Sequence, residues 1–256
     1  MINYREGVLR GSRGFVASAL CVVLSAWPGG RAAAADSAEL ARLVDSPTAG
    51  LVGKGYYAVG MRLFAEGGLL GQVQAGALKR LTIGLSFGGR QVIGQGAVDW
   101  NPRVEVAARY RVIEESVTWP ALVLGYETQG YGAYDRERYT NKSKGFYLAL
   151  SKNFTSALGQ FGIHAGANMS RETTDGEEVS GWIGADKSIN EDLSLLGEYE
   201  LGRNDGSDEV GYLNVGARWA VAPQLKISLF FKNVLQRGLA NPEPSRELAV
   251  VYTEEF

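Results

Sequence analysis

His164 is the only histidine in the chain, so it is the first residue to consider for acid–base or metal chemistry. A metal site needs several ligands at suitable spacing, and a chain with one histidine and one cysteine offers few of them. A Ser–His lipid hydrolase would need a lipid-facing histidine beside a serine. The alternation of the sequence instead puts His164 in the polar phase, with Gly162, Gly166 and Asn168. We therefore predict a hydrogen-bonding role for His164, with no catalytic residue, cofactor or metal.

Glu198 and Glu200 are the next pair whose spacing resembles a catalytic arrangement. Residues two apart on a strand share a face and are separated by about 7 Å. Inverting glycosidases hold two carboxyl groups ~6.5–9.5 Å apart, on opposite sides of a sugar bond. Neighbours on one strand approach a ligand from the same side, so this pair does not meet the requirement. We predict that the chain is not an enzyme.

Charged side chains of both signs occupy the polar phase of many alternating segments. If the apolar phase faces lipid, these side chains fill a lumen. Two interpretations stay open. Acids and bases can pair across the lumen and close it, because buried charges must be matched, or rings of charge can select a solute in a narrow passage. The lumen-lining candidates are Arg62, Glu105, Arg109, Arg111, Glu127, His164, Asp186, Glu198, Glu200, Arg218, Lys226 and Lys232.

Short segments with a period of two would position these side chains. In the last third of the chain Leu213, Val215, Ala217 and Trp219 alternate with polar or small residues. Residues 225–232 repeat the pattern, with apolar residues in one phase and two lysines in the other. Period two indicates β-strands. An apolar phase facing lipid and a polar phase facing a lumen are typical of a transmembrane β-barrel.

About twelve such strands follow residue 54. Most span 8–11 residues, close to the ~9–11 that a tilted strand needs to cross a bilayer, whereas soluble strands average about 5–6. We therefore predict an all-β fold, a transmembrane antiparallel up-and-down β-barrel. The predicted strands are 55–64, 69–77, 81–88, 104–113, 121–129, 145–154, 161–171, 179–189, 193–202, 211–220, 225–234 and 246–253.

The predicted connections alternate in length along the chain. Residues 78–80 and 221–224 make tight turns, whereas residues 131–144 and 235–245 are longer and polar. Outer-membrane barrels have short turns on one rim and long loops on the other. Only the first hairpin, at 65–68, is short where a long loop is due. This rhythm favours a membrane barrel over a soluble meander.

The first 35 residues have the pattern of a cleavable signal peptide. Three arginines precede an apolar run at 14–27, and residues 32–35 are small, as a cleavage site requires. The run is shorter than the ~20 residues of a membrane-spanning helix. Residues 36–53 then predict a periplasmic lead-in with two helical turns, and residues 54–256 the barrel. An exported barrel implies the outer membrane of a Gram-negative cell.

Composition limits the partners of the chain beyond the signal. That part keeps 22 of the 26 basic and 27 of the 28 acidic side chains, a net charge of −5. It has no basic stripe for nucleic acid, so we exclude nucleic acid as a partner. No later stretch is apolar for ~18 residues, so no membrane helix is predicted. The only cysteine lies in the signal, so no disulfide is expected.

A tyrosine-rich loop lies at 129–139, with Tyr131, Tyr134 and Tyr139 among glycines and charges. Tyrosines of this kind can stack on sugars. The plainer interpretation, which we favour from the sequence, is an outer rim that faces lipopolysaccharide. The chain ends on Phe256, similar to the C-terminal signal read by the outer-membrane assembly machinery, although Glu254 stands where an apolar residue is usual.

Three stretches carry a resemblance to a known family: DSPTAGL at 45–51, GYETQGYG at 125–132 and GYLNVGARW at 211–219. There the chain resembles the YjbH-like bacterial outer-membrane proteins, and the resemblance spans most of the chain beyond the signal. It implies a barrel associated with exopolysaccharide production or export. Larger members carry further domains that are missing here. The motifs carry over no catalytic residues.

Three functions remain as expectations. The first is a non-enzymatic barrel that supports exopolysaccharide or envelope biogenesis or export. The second is a narrow porin for small acidic oligosaccharides attracted by Arg109, Arg111, Arg218 and Lys226. The third is an outer-membrane lipid hydrolase. The expected partners are outer-membrane lipid and lipopolysaccharide, the assembly machinery, and polysaccharide or export-complex proteins.

Overall fold

The alternating segments of the sequence pair with one another in one large sheet. The computed structural model describes residues 39–156, 159–172, 179–202, 211–236 and 244–256, so the predicted signal peptide lies outside the described residues. The strands are β1 (Tyr56–Phe64), β2 (Gly68–Leu78), β3 (Leu81–Arg90), β4 (Asp99–Trp100), β5 (Glu105–Ile113), β6 (Ala121–Glu127), β7 (Tyr131–Asp135), β8 (Arg138–Asn141), β9 (Gly145–Ser156), β10 (Gly159–Met169), β11 (Ser180–Ser188), β12 (Leu193–Glu200), β13 (Tyr212–Ala220), β14 (Leu225–Lys232) and β15 (Ser245–Glu255).

Twelve of the strands in the described part of the chain form a closed antiparallel barrel. Each pairs with the next barrel strand along the chain, and β1 pairs with β15 to close the sheet. The two-residue β4 extends from the edge of β3, and β7 and β8 form a separate hairpin. The barrel strands match the predicted segments to within two residues at each end. The predicted all-β up-and-down barrel is therefore confirmed, and its closure leaves no sheet edge for lipid to solvate.

The outer face of the barrel is apolar and the inner face is polar. Val73 and Ile183 point outward and expose 52% and 58% of their surface. Arg109 and Glu127 point inward and expose 3% each. A soluble sheet would bury the apolar face, so the reversed arrangement is that of strands surrounded by lipid.

Aromatic side chains lie near both ends of the barrel. Trp119 and Trp219 are exposed near one end. At the other end Trp100 stacks on Phe87, with the ring centroids 5.7 Å apart. Amphipathic rings at these two heights form the aromatic girdles of transmembrane barrels.

The two ends of the barrel carry connections of different length. The turns after β2, β9, β11 and β13 lie where β1 begins and β15 ends, and there the Phe256 N–H donates to the Gly55 carbonyl at 2.9 Å. We call this end the short-turn rim and the opposite end the long-loop rim. The long-loop rim carries residues 128–144 between β6 and β9. The alternation predicted from the sequence is present.

Residues 39–53 do not form the lead-in outside the barrel that the sequence predicts. Described residues 39–44 are not helical, and the segment doubles back on itself inside the barrel. The Thr48 N–H donates to the Ala41 carbonyl at 3.2 Å, and the Leu43 N–H donates to the Ser46 carbonyl at 3.0 Å. We call residues 39–53 the plug. The physical reason is space, because a twelve-stranded barrel encloses more volume than its own inward side chains fill.

The plug enters and leaves at the short-turn rim. Lys54 forms a parallel bridge with Gly76 near the end of β2, and the chain then turns into β1. A Cβ atom at Gly76 would lie 1.9 Å from the Gly53 carbonyl oxygen, so only glycine lets the two backbones approach there. The tip of the plug, at residues 44–46, therefore points toward the long-loop rim.

The tyrosine-rich loop also departs from its prediction. Strands β7 and β8 fold over the barrel mouth at the long-loop rim, and we call this pair the mouth hairpin. Tyr131 is 8% exposed and Tyr139 is fully buried, so these rings face the barrel interior instead of an outer lipopolysaccharide layer. The Tyr139 hydroxyl donates to Glu105 on β5 at 3.2 Å. The hairpin is held inward because its polar rings find charged partners there.

Among the described residues there is no helix with the length and apolar character that crossing a bilayer requires.

Candidate functional site: a plugged lumen

The plug packs against one side of the barrel wall through apolar contacts. Ala49 and Leu51 form a buried cluster with inward-facing Val123, Tyr147 and Trp182. These wall residues lie on β6, β9 and β11. Burial of apolar side chains stabilises this docking by about 25 cal/mol for each Å² removed from water. The part of the plug that contains Ala49 and Leu51 is therefore held in an apolar core, as in a soluble protein.

A second apolar cluster holds the part of the plug next to its tip. Leu43 and Val44 pack with Leu196 on β12 and Phe230 on β14. Leu43 lies so close to Gly184 of the wall that a Cβ atom at this glycine would be 2.4 Å from the Leu43 Cδ1 atom. A side chain at that position would push the plug away from the wall.

Wall arginines satisfy carbonyl groups of the plug. Arg109 donates to the Ala41 carbonyl, and Arg111 donates to the Ala49 carbonyl at 2.6 Å. Backbone groups buried without a partner cost free energy, so a non-helical segment inside a lumen needs such donors. These two predicted lumen residues serve the plug.

Glu198 binds the tip of the plug through backbone donors. Its carboxylate accepts the N–H groups of Val44, Asp45 and Ser46 at 3.0, 2.8 and 2.9 Å. The Asn214 amide donates to the same carboxylate at 2.8 Å. Glu198 therefore fixes the backbone of the tip.

The Asp45 side chain reaches across the lumen from the same tip. Its carboxylate lies 2.7 Å from Arg62 Nη2 on β1 and 2.6 Å from Lys232 Nζ on β14. The Tyr131 hydroxyl of the mouth hairpin donates to it at 2.9 Å. Arg62 also binds Glu247 through its Nε atom at 2.6 Å. We call the contact of Asp45 with Arg62, Lys232 and Tyr131 the lock.

The charges around the lock settle the protonation of its members. Burial alone would raise the pKa of Asp45, but Lys232 and Arg62 hold it well below its ordinary value. Burial raises the pKa of Tyr131 well above its ordinary value, although Arg62 opposes the shift. At neutral pH Asp45 is therefore a carboxylate and Tyr131 a neutral hydroxyl that donates to it.

Arg42 anchors the plug on the opposite wall. Its Nη2 atom lies 2.5 Å from Glu127 on β6. Burial would lower the pKa of Arg42, but the Glu127 carboxylate outweighs that effect and the pKa is raised. Arg109 lies 3.6 Å from the same carboxylate. The acid that the sequence assigns to the lumen wall thus pairs with a base of the plug.

His164 lies between two polar side chains of neighbouring strands. Its Nδ1 atom is 2.8 Å from Ser151 Oγ and its Nε2 atom is 2.8 Å from Asp186. Ser151 also accepts the Ala49 N–H of the plug at 2.8 Å. All of these side chains face the interior. Hydrogen bonds thus link a serine, a histidine and an aspartate, but this group faces the plug and not lipid.

Three carboxylates gather near the tip, and we examined them as ligands for a cation. Asp45, Glu198 and Glu200 have oxygen atoms within 4.8 Å of one another. Asp45 is bound by the lock, Glu198 by backbone N–H groups, and Glu200 by Lys144 at 2.7 Å. The cluster is therefore satisfied by protein donors.

A cavity of about 250 Å³ lies beside the plug. The plug bounds it on one side and β1, β2, β13, β14 and β15 on the other, and Arg109 on β5 and Glu127 on β6 also belong to the lining. The lock lies between its two ends. The inward residues toward the short-turn rim are Gln72, Gln74, Arg218, Lys226, Ser228 and Thr253, and those toward the long-loop rim include Asn141, Lys144, Asn168, Ser180 and Tyr212.

The structure brings the predicted lumen residues together only in part. Glu105 stands apart near the long-loop rim and pairs with Arg103 at 2.9 Å. All twelve candidates lie on the inner face, but whether they select a solute stays a prediction. Those that are at least nine-tenths buried are Arg62, Glu105, Arg109, Arg111, Glu127, His164, Glu198 and Lys232, and those of intermediate burial are Asp186, Glu200, Arg218 and Lys226.

The sequence-based assignment missed the residues that close the lumen. Asp45 and Arg42 were placed outside the barrel with the rest of residues 36–53. Tyr131 was placed on an outer rim. Glu247 lies in the inward phase of β15 together with Ala249. The alternation of these two residues with Leu248 and Val250 is the sequence signal that identifies Glu247 as inward-facing.

Comparison with known proteins agrees with the barrel. No protein-family model and no curated protein sequence matches the chain. The structure is similar to "KdgM porin in complex with disordered oligogalacturonate", with TM-score 0.50, 13% identity, and coverage of 77% of this chain and 98% of that one. It is also similar to "KdgM porin", with TM-score 0.48, 12% identity and 77% and 98% coverage. The NanC porin gives TM-score 0.41, 11% identity and 78% and 98% coverage.

At these identities the likeness concerns the fold alone. The chain has the fold of an outer-membrane β-barrel and is similar in architecture to porins. In the described part of the chain a segment of the protein itself, the plug, lies inside the barrel. The lumen is therefore not a simple open pore.

Proposed function

We propose that the chain is a porin-like channel of the Gram-negative outer membrane for small acidic solutes, with acidic oligosaccharides as the favoured class. The observation that carries the proposal is the cavity beside the plug, whose wall bears Arg62, Arg218, Lys226 and Lys232. Charged rings in a narrow lumen select solutes of opposite charge. Neutral polar residues between these cations provide hydrogen bonds for hydroxyl groups.

The similar KdgM structure supports the same direction, since it is described in complex with oligogalacturonate. That ligand is a property of KdgM and reaches this chain only as a proposal. The basic residues on the cavity wall of this chain are the independent support.

The plug favours a second candidate, a barrel that does not conduct and supports exopolysaccharide or envelope traffic through other proteins. The resemblance to YjbH-like proteins points the same way. In this case polysaccharide or export-complex proteins would be the partners, together with lipopolysaccharide around the barrel and the assembly machinery that inserts it. The porin candidate is preferred because the cavity and its cations need an explanation that a scaffold does not supply.

The lipid hydrolase has less support than either. It would need His164 beside lipid, and His164 is 3% exposed and bound to Ser151 and Asp186 inside the barrel. A non-enzymatic role is accordingly part of the proposal.

Conductance of the refolded barrel in a planar bilayer tests the channel directly. We expect small openings for the wild type and a several-fold larger conductance for a variant that lacks residues 39–53. Trigalacturonate should block the openings, whereas maltotriose, a neutral sugar of similar length, should not. A silent deletion variant that is correctly folded would contradict the channel and favour the scaffold.

A further inference from the structure

The lock has the composition of a binding site for a carboxylate. Arg62 from β1, Lys232 from β14 and Tyr131 from the mouth hairpin converge on one acidic group at 2.7, 2.6 and 2.9 Å. Two cations and a hydroxyl donor from three separate elements are what recognition of a carboxylate requires. The group that they bind in the structure belongs to the chain itself, at Asp45.

The charge around the lock would be unbalanced without Asp45. Arg62 has Glu247 as a second partner, and Lys232 lies 3.6 Å from the same carboxylate. One acid then faces two buried bases. An uncompensated buried charge is costly, so an external anion would be drawn to this position.

The lock is also open to the cavity. Asp45, Arg62, Tyr131 and Lys232 all belong to the cavity lining. A solute in the cavity meets the lock, which lies between the lining residues of the two rims. The position of the lock is therefore that of a gate as well as a binding site.

The plug backbone does not need to leave its wall for the lock to open. The N–H groups of residues 44–46 are held by Glu198, and Leu43 is held in an apolar cluster. The Asp45 side chain crosses to Arg62 and Lys232, and the Val44 carbonyl accepts a hydrogen bond from Arg62 Nη1 at 3.3 Å without taking part in the lock. A change of the Asp45 side-chain rotamer is therefore sufficient to release the lock.

We propose that Asp45 is a built-in substitute for the carboxylate of an acidic ligand, and that a ligand carboxylate takes its place on Arg62, Lys232 and Tyr131. This inference rests on the proposed channel function and adds its gate. Because ligand and Asp45 compete for the same donors, an acidic solute opens its own passage. A neutral solute finds the lock closed.

Current block in a planar bilayer tests the exchange with trigalacturonate as the probe. We compare the refolded wild type with Asp45→Asn, and use Asp135→Asn, on the exposed tip of the mouth hairpin, as the matched control. Asp45→Asn should bind trigalacturonate about tenfold more tightly, which is 1.4 kcal/mol of removed competition. The control should bind as the wild type does, and maltotriose should bind none of the three.

A second variant keeps the test decisive if Asp45→Asn does not fold, as judged by heat-modifiable mobility. Lys232→Met keeps Asp45 and removes one donor of the site, so it should weaken the trigalacturonate block at least about tenfold. Unchanged affinity in Asp45→Asn or in Lys232→Met overturns the exchange while the channel stands. Absence of any trigalacturonate effect on the wild type, the variants and the plug deletion overturns both the exchange and the channel.

Discussion

The two halves of the barrel wall are built for different tasks. Along β6, β9, β11 and β12 the inward face contains apolar residues such as Val123 and Leu196, and the plug packs on them. Along β1, β2, β13, β14 and β15 the inward face carries amide and charged side chains among smaller residues and a cavity remains, although Phe230 on β14 also packs against the plug. The same alternation of residues thus yields a packed core on one side and a polar passage on the other.

The difference shows where stability and function are placed in the lumen. Apolar burial holds the plug on its wall together with the hydrogen bonds of Glu198 and the Arg42–Glu127 pair, so that half is the rigid one. In the cavity half Arg218 and Lys226 are half-buried, whereas Arg62 and Lys232 are buried and pair with Asp45 and Glu247. A gate is possible because the strong contacts and the exchangeable contacts lie on opposite walls.

Glu198→Ala should produce the largest loss of stability. It leaves three buried N–H groups at residues 44–46 without an acceptor, and each orphaned group costs about 1–3 kcal/mol. We expect the free energy of unfolding to fall by about 4 kcal/mol, near the lower end of the roughly 3–9 kcal/mol that three such groups sum to, measured by urea denaturation in detergent. Glu200→Ala, on the same strand but only partly buried, is the control and should cost less. Equal losses would show that the tip is not held as described.

Leu43→Ala should rank second and should distinguish the two walls. Leu43 is a plug residue that is fully buried against Gly184 of the wall. Its truncation therefore leaves a cavity and costs about 3 kcal/mol. Gln72→Ala, on the cavity wall, should change the free energy of unfolding by less than about 1 kcal/mol. Similar values for the two variants, in the same denaturation experiment, would remove the contrast between the halves.

Acid should weaken the lock more than the packed wall. The folded-state pKa of Asp45 lies below its ordinary value, because Lys232 and Arg62 outweigh burial. Its contribution to stability is therefore present above about pH 4, the unfolded value, and is lost as pH falls below it. Between pH 6 and pH 3 the wild type should lose about 2–4 °C more in thermal midpoint than Asp45→Asn. Parallel pH profiles would contradict the assignment.

The smallest change in stability should come from substitutions at the long-loop rim. Arg90 pairs with Asp99 at 2.6 Å and Glu66 at 2.8 Å, but all three side chains are partly or largely exposed. Exposed ion pairs contribute about 0–1 kcal/mol, so Arg90→Ala should lie within that range by urea denaturation and should leave the conductance unchanged. A larger loss would mean that charges at the rim matter as much as those inside.

The barrel could be predicted because its information is local. Period two in segments such as 211–220 identifies strands, and the alternation of short and long connections identifies the two rims. The inward set followed from the same phase, which is why all twelve candidates lie on the inner face. These features depend on residues that are close in sequence, and a closed antiparallel sheet needs little else.

The plug and the mouth hairpin could not be predicted in the same way. Residues 39–53 have no period, and their backbone is satisfied by distant partners, such as Glu198, which lies 154 residues from Val44 along the chain. The Pro47 carbonyl accepts a hydrogen bond from the Trp182 ring at 3.1 Å. Only the assembled wall provides these partners.

The sequence alone determined the class of fold, the strand boundaries and the polar character of the lumen, because each depends on alternation along a strand. The tertiary structure decided that the lumen is occupied, which wall carries the plug, and that Asp45 meets Arg62, Lys232 and Tyr131. Those outcomes depend on volume and on charge matching among residues far apart in the chain. A barrel of this size has room for a segment of its own chain, and the packing of the whole molecule decides which segment occupies it.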